Sequence, residues 1–143
     1  MRKAASLLLV LAILFSFSGC IFSCSSVTVE NKTVSIKSYG STPTLTLGGV
    51  EIDDEEFYQK LLVAIDSKEI KSAPQPPNEL CKCDIKYSVK MVGTYAKSYY
   101  FDFHTHGVEI SSTCRFRKCI DILGIVEVDS ETMSELIAIL EEV

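Results

Sequence analysis

The chain has 143 residues, a formal net charge of −5 at pH 7 and an apolar fraction of 47%. A chain of this size is expected to form one domain, and its acidic balance lacks the basic surface that nucleic-acid binding requires. Its composition indicates a packed core rather than a disordered tail.

The N-terminus has the layout of an export signal. Arg2 and Lys3 precede an apolar run at 4–15, and no other charged residue occurs before Glu30. A basic start followed by an apolar stretch of this length is typical of a signal peptide. A membrane-spanning helix is the alternative, because residues 4–22 are just long enough to cross about 30 Å of hydrocarbon.

The sequence Phe17-Ser18-Gly19-Cys20 resembles the lipobox of bacterial lipoprotein precursors. The usual pattern is Leu, a small residue, Gly or Ala, and then Cys, so Phe17 departs from it. The resemblance implies cleavage before Cys20 and a diacylglycerol, with fatty acids such as palmitate, on the Cys20 sulfur. We therefore expect a signal peptide at 1–19, a lipid anchor and tether at 20–32, and a folded domain at 33–143.

Two other fates of the N-terminus stay open. An ordinary signal peptidase would cut after Ser25, behind the small residues Ser23 and Ser25, and release a soluble secreted domain. The segment could also stay uncut as an anchor. All three fates place the domain outside the cytoplasm. Lipobox cleavage would leave 124 residues and a net charge of −7, because Arg2 and Lys3 are removed.

Alternating apolar residues predict several strands in the first half of the chain. The pairs at 34 and 36, 45 and 47, and 50 and 52 are all Val, Leu or Ile. Gly48-Gly49 stands between two of these segments and predicts a two-residue hairpin turn, because glycine accepts positive φ.

A helix is predicted to follow, with Asp53 as its N-cap and acidic residues in its first turn. Four residues recur at helical spacing and are expected to face the core: Phe57, Leu61, Ala64 and Ile65. The helix should end before Pro74, and residues 72–79 are predicted to be a proline-rich connector.

The second half is richer in strands. Residues 85–91 alternate cleanly between apolar and polar side chains, which indicates a strand with one wet face. Further strands are predicted at "SYYFDFH", "VEIS" and "CRFRKCIDI". Asp129 or Ser130 should cap a final helix, whose predicted inward residues are Met133, Leu136, Ile137 and Leu140.

The segments at 48–57 ("GGVEIDDEEF") and 124–133 ("GIVEVDSETM") are similar. The similarity indicates either a shared strand-to-helix pattern or two duplicated β-meander-plus-helix units. With strands and helices in blocks, both interpretations predict a single α+β domain, an antiparallel sheet with two helices on one face.

Six cysteines in an exported chain suggest disulfides. With Cys20 lipidated, Cys24 is left over, and Cys81, Cys83, Cys114 and Cys119 are the disulfide candidates. A bond between Cys81 and Cys83 would be strained. The nested pairing of Cys81 with Cys119 and of Cys83 with Cys114 is our prediction, and the crossed pairing stays open. Zinc bound by the four thiolates and free thiols are the other interpretations.

Asp102, His104 and His106 are spaced by two in "FDFHTH". On a straight strand all three would point to one side and could bind a metal ion. Phe101 and Phe103 should then face the core, so we expect the three polar residues to be solvated.

The sequence contains no catalytic-serine elbow, P-loop, zinc-protease or dinucleotide-binding motif. We therefore expect no enzyme and no required cofactor, but a cell-envelope lipoprotein that is held at the membrane by its lipid and binds a protein partner or another envelope component. Tyr95, Tyr99 and Tyr100 are candidate interface residues, although at least one should be in the core. The alternative is a periplasmic metal-binding protein that uses Asp102, His104 and His106.

Overall fold

The computed structural model describes residues 24–39, 42–71, 86–93, 97–114 and 119–143. These residues form two antiparallel sheets and two helices, which confirms the predicted α+β class. The strands are β1 (Cys24–Glu30), β2 (Thr33–Tyr39), β3 (Leu45–Leu47), β4 (Val50–Glu51), β5 (Ile70–Lys71), β6 (Tyr87–Val92), β7 (Lys97–His104), β8 (Gly107–Cys114) and β9 (Cys119–Glu127). The helices are α1 (Glu55–Ile65) and α2 (Ser130–Glu142).

The main sheet has seven strands in the order β4-β3-β6-β7-β8-β9-β5. Its centre is the meander β6 to β9, in which each strand pairs antiparallel with the next. The hairpin β3–β4 adds to one side through β6, and β5 adds to the other through β9. Strand β7 is therefore the middle strand of the sheet.

The core face of the sheet follows from period-2 alternation along the central strands. Tyr99, Phe101 and Phe103 of β7 are all buried. The register sets Phe101 between Val89 of β6 and Ile110 of β8, both of which are also buried. The expectation that Phe101 and Phe103 face the core is confirmed.

Helix α1 begins one residue later than predicted. Asp54, not Asp53, is the N-cap, and its carboxylate accepts hydrogen bonds from the N–H groups of Glu56 at 2.8 Å and Phe57 at 3.2 Å. The two side chains are chemically equivalent caps, so residue type alone could not distinguish them. The four predicted inward residues are all buried: Phe57, Leu61, Ala64 and Ile65. The ring centroids of Phe57 and Phe103 lie 6.4 Å apart, and this aromatic contact joins α1 to the sheet.

Helix α2 is capped by Asp129, whose carboxylate accepts a hydrogen bond from the Thr132 N–H at 2.9 Å. Its buried residues join the same core as those of α1: Met133, Leu136 and Leu140. Lys60 of α1 forms an ion pair with Glu135 of α2 at 2.6 Å. An exposed pair of this kind contributes little to stability, so apolar packing holds the helices in place.

The two similar sequence segments occupy similar places in the fold. Strand β4 leads into α1 and β9 leads into α2, and the Gly48-Gly49 turn joins β3 to β4 with both glycines at positive φ. The segments differ at the cap, because Asp129 aligns with Asp53 while α1 is capped by Asp54. A shared strand-to-helix pattern accounts for the similarity as well as a duplication does.

Residues 24–30 form strand β1, although residues 20–32 were expected to be a tether. Strand β1 pairs along its full length with β2. The hairpin is attached to the residues after α1, where the Val34 N–H donates to the Lys68 carbonyl at 3.0 Å and the Ile36 N–H donates to Asp66 Oδ1 at 2.7 Å. The folded domain therefore begins before residue 33, since pairing with a strand overrides the polar character of this segment.

The proline-rich connector at 72–79 and Ile85 lie outside the described residues. Strand β6 starts at Tyr87. The segment "CRFRKCIDI" is divided between two strands, because β8 ends at Cys114 and β9 starts at Cys119.

Phe103→Ala tests the central packing. Removing a ring that is fully buried against Phe57 leaves a cavity, and we expect a loss of about 3–5 kcal/mol in the free energy of unfolding. His106→Ala, in the exposed turn three residues away, should change it by less than about 0.5 kcal/mol. Urea denaturation of both variants measures the difference. Equal, small losses would mean that the ring does not lie in the core.

Candidate functional site

The second face of the main sheet, here called the outer face, carries the side chains that alternate with the core residues of the central strands. The strand registers arrange them in rows across β6, β7, β8 and β9. One row is Lys90, Tyr100, Ser111 and Ile122, and the next is Ser88, Asp102, Glu109 and Ile125. The outer face is therefore polar toward β6 and apolar toward β9.

Two carboxylates lie opposite each other in the middle of this face. Asp102 of β7 is the register partner of Glu109 of β8, a like-charge pair that opposes strand pairing. Burial raises the pKa of the half-buried Glu109 carboxyl, attraction to His104 works against this shift, and the charge of Asp102 adds to it. Glu109 was not among the residues selected from the sequence, because only the register places it opposite Asp102.

His104 is buried, with only 7% of its surface exposed, so the expectation that it meets solvent is wrong. Strand alternation assigns a side chain to a face but does not say whether that part of the face is covered. Neither Nδ1 nor Nε2 of His104 has a hydrogen-bond partner among the described residues.

His106 does not share the strand with Asp102 and His104. Strand β7 ends at His104, and Thr105 and His106 form the two-residue turn to Gly107. The straight strand that the metal hypothesis needs is therefore interrupted before His106, which is exposed. Among the described residues, no group of three or more His, Cys, Asp or Glu side chains is placed to hold a metal ion.

The β9 end of the outer face carries two exposed apolar side chains, Ile120 at 69% and Ile122 at 52% exposure. Strand β5 pairs with β9 only at Ile125 and Val126. Within the described strands, the outward edge of β9 from residue 119 to 124 therefore has no partner. The sequence shows that Ile120, Asp121 and Ile122 alternate between apolar and polar side chains. Only the order of the described strands shows that these residues lie on an edge without a strand partner.

The three tyrosines selected as interface residues are placed differently. Tyr99 is buried in the core, as expected for at least one of them, and Tyr100 is half-buried on the outer face. Tyr95 lies outside the described residues. Tyr100 is thus the only one of the three known to lie on the outer face.

The candidate cysteines are only partly covered by the structure. Cys20, Cys81 and Cys83 lie outside the described residues, while the backbones of Cys114 and Cys119 end β8 and begin β9. The pairing of Cys81 with Cys119 and of Cys83 with Cys114 involves two cysteines that the structure does not describe, and lipidation of Cys20 stays a prediction. In the described part of the chain, no helix is long and apolar enough to cross a membrane.

Glu109→Gln tests the carboxylate pair through pH. The pKa of Glu109 is raised in the folded state. At a pH between its ordinary pKa and the raised one, the folded chain therefore holds more protons than the unfolded chain. Stability should therefore fall as the pH rises from the ordinary glutamate pKa of about 4.3 through the raised one. The variant should lack this loss and be more stable than the parent at neutral pH.

The measurement is a series of urea unfolding curves across this pH range. Glu141→Gln, at an exposed position near the end of α2, is the matched control and should keep the parent's profile. Parallel profiles for the parent and Glu109→Gln would contradict the assignment.

Comparisons with known proteins give no relative from which to transfer a function. No protein-family model matches the chain, and neither the curated proteins nor the solved structures contain a match to it.

Proposed function

We propose that the chain is a lipid-anchored protein of the cell envelope, attached through Cys20, whose domain binds a protein partner and catalyses no reaction. The partner would bind at the β9 end of the outer face, around Ile120 and Ile122. The exposure of these two residues, beside a strand edge that has no partner among the described strands, carries the binding part of the proposal.

The start of β1 supports cleavage before Cys20. Strand β1 begins at Cys24, so a chain that starts at Cys20 keeps all seven residues of the strand. Cleavage after Ser25 would remove its first two residues, which pair with Tyr39 and Ser38. The lipobox-like sequence thus precedes the first described strand, whereas the other cleavage site lies inside that strand.

The edge of β9 offers a partner both backbone and side-chain contacts. Unpaired N–H and C=O groups on a sheet edge can hydrogen-bond to an added strand from another protein, and alternate side chains give selectivity. Native proteins usually protect such an edge with charged residues, proline or a covering segment. Ile120 and Ile122 make this one apolar instead, which favours association.

The polar residues of the outer face do not by themselves make a catalytic site. Two carboxylates and a histidine lie on this face, but a reaction needs in addition a bound substrate and a nucleophile or an activated water. The sequence contains no recognised nucleophile motif. Binding is therefore a better match to this surface than catalysis.

Cys20→Ser tests the anchor. The variant should lose lipid labelling and either leave the membrane or accumulate as an unprocessed precursor, because diacylglycerol requires the Cys20 sulfur. Cys24→Ser is the matched control and should be labelled like the parent. Intact-mass spectrometry of the parent that found an unacylated chain starting at Ser26 would contradict the anchor.

Site-specific photo-crosslinking tests the binding surface. A photoreactive residue at position 120 or 122, in the full chain expressed in its own cell envelope, should give a discrete adduct with a protein partner. Position 63 on α1 is the control, because Val63 is 75% exposed, more than either isoleucine, but lies on a helix. We expect no discrete adduct there.

Ile122→Lys should abolish the adduct formed from a photoreactive residue at position 120, and Ile120→Lys should abolish the adduct formed from position 122. The added charges remove the apolar contacts and blunt the edge. Equal adducts from positions 63, 120 and 122 would show that exposure alone decides crosslinking and would contradict the proposed surface.

A further inference from the structure

We propose that Cys114 and Cys119 form a disulfide with each other across the β8–β9 hairpin. The register makes Cys114 the direct partner of Cys119, at the last pair of the two strands. Directly opposite residues of antiparallel strands have Cα atoms about 4.5–5.5 Å apart. A disulfide joins Cα atoms about 4.4–6.8 Å apart, so this pair meets the distance requirement with the hairpin as it is.

Both two-bond schemes considered from the sequence require Cys83 to pair with Cys114 or Cys119. Cys83 lies three residues before Lys86, whose N–H donates to the Phe103 carbonyl at 2.9 Å. Lys86 is thereby fixed at the end of β6 that lies beside the β7–β8 turn. Cys114 lies at the opposite end of β8, seven residues from Gly107 in that turn.

The covalent reach of Cys83 is too short for either bond. Seven residues of strand extend about 23 Å, and β8 lies two strand spacings from β6. Three residues of fully extended chain span at most about 11 Å, and a disulfide adds at most about 7 Å between Cα atoms. The extended chain and the disulfide together are too short to reach from Lys86 to Cys114. Cys119 lies one strand further away. The register therefore argues against both schemes.

The pairing of Cys114 with Cys119 was set aside only because its complement, Cys81 with Cys83, would be strained. This argument against the Cys114–Cys119 bond holds only if all four cysteines are paired. It does not apply if Cys81 and Cys83 stay as thiols or pair with other molecules. The backbone then leaves Cys114 and Cys119 as the natural pair.

Formation of the bond is a two-electron oxidation. One thiolate attacks a disulfide of an oxidising dithiol protein or of a small-molecule disulfide, and the second thiolate then displaces that partner as a thiol. The two cysteines lose two protons and two electrons, and the partner disulfide is reduced to two thiols. Oxidising compartments outside the cytoplasm contain such partners, so this inference rests on the proposed export.

Peptide mapping tests the bond directly. The full exported chain is alkylated at its free thiols without reduction and digested with trypsin. Trypsin cleaves after Arg115, Arg117 and Lys118, between the two cysteines, and after Lys82, between Cys81 and Cys83. Each of the four candidate cysteines then lies on its own peptide: 72–82, 83–86, 98–115 and 119–143.

We expect peptide 98–115 linked to peptide 119–143, from chain that runs at the monomer mass on a non-reducing gel. Cys119→Ser should abolish the linked species, and Cys83→Ser should leave it unchanged. A link from 119–143 to 72–82 or 83–86 would overturn the inference, as would alkylated Cys114 and Cys119 or a link found only in dimers.

Failure of the cleavage before Cys20 and failure of the pairing are distinguishable. The same digest reports the N-terminal peptide, which shows whether the signal was removed. Processed chain with alkylated Cys114 and Cys119 would refute the disulfide alone. Unprocessed chain with these cysteines alkylated would refute both the cleavage before Cys20 and the disulfide, whereas unprocessed chain with the bond intact would support the pairing and refute that cleavage alone.

Discussion

The structure depends on the two-sided packing of its middle strand, β7. Its inward residues Phe101 and Phe103 are fully buried, and Phe103 contacts α1 through Phe57. The residues between them, Tyr100 and Asp102, necessarily face the other way. The strand that fixes the core therefore also fixes the outer face. A shift of one residue in its register would move the aromatic rings out of the core, so the candidate site is positioned as firmly as the core itself.

Most of the fold could be predicted because it rests on local patterns. Helical spacing identified the inward residues of α1, and alternation identified β7 and its buried rings. Errors arose where a non-local contact decided the structure. Residues 24–30 are polar enough to be a tether, but pairing with β2 makes them a strand. Asp53 and Asp54 are equally good caps by residue type, and the chain uses the second.

The candidate site was less predictable, since its residues are brought together by register. Asp102 and Glu109 become opposite neighbours only because the β7–β8 turn contains two residues, Thr105 and His106. The same turn removes His106 from the strand and with it the geometry of the metal hypothesis. The apolar end of β9 has a comparable origin, because among the described strands β5 pairs with β9 only at Ile125 and Val126. Spacing along one strand could not reveal either arrangement.

The early start of β1 has a consequence for how far the domain can search for a partner. With lipid on Cys20, four peptide steps separate the membrane from the first residue of the strand, and they span at most about 14 Å. If the chain is anchored there as proposed, a linker this short would confine the domain to a thin layer above the bilayer. Partners embedded in or bound to the same membrane would meet it at a high effective concentration. A partner fixed further away than the tether and the domain together can span would never meet it, however well the two surfaces matched.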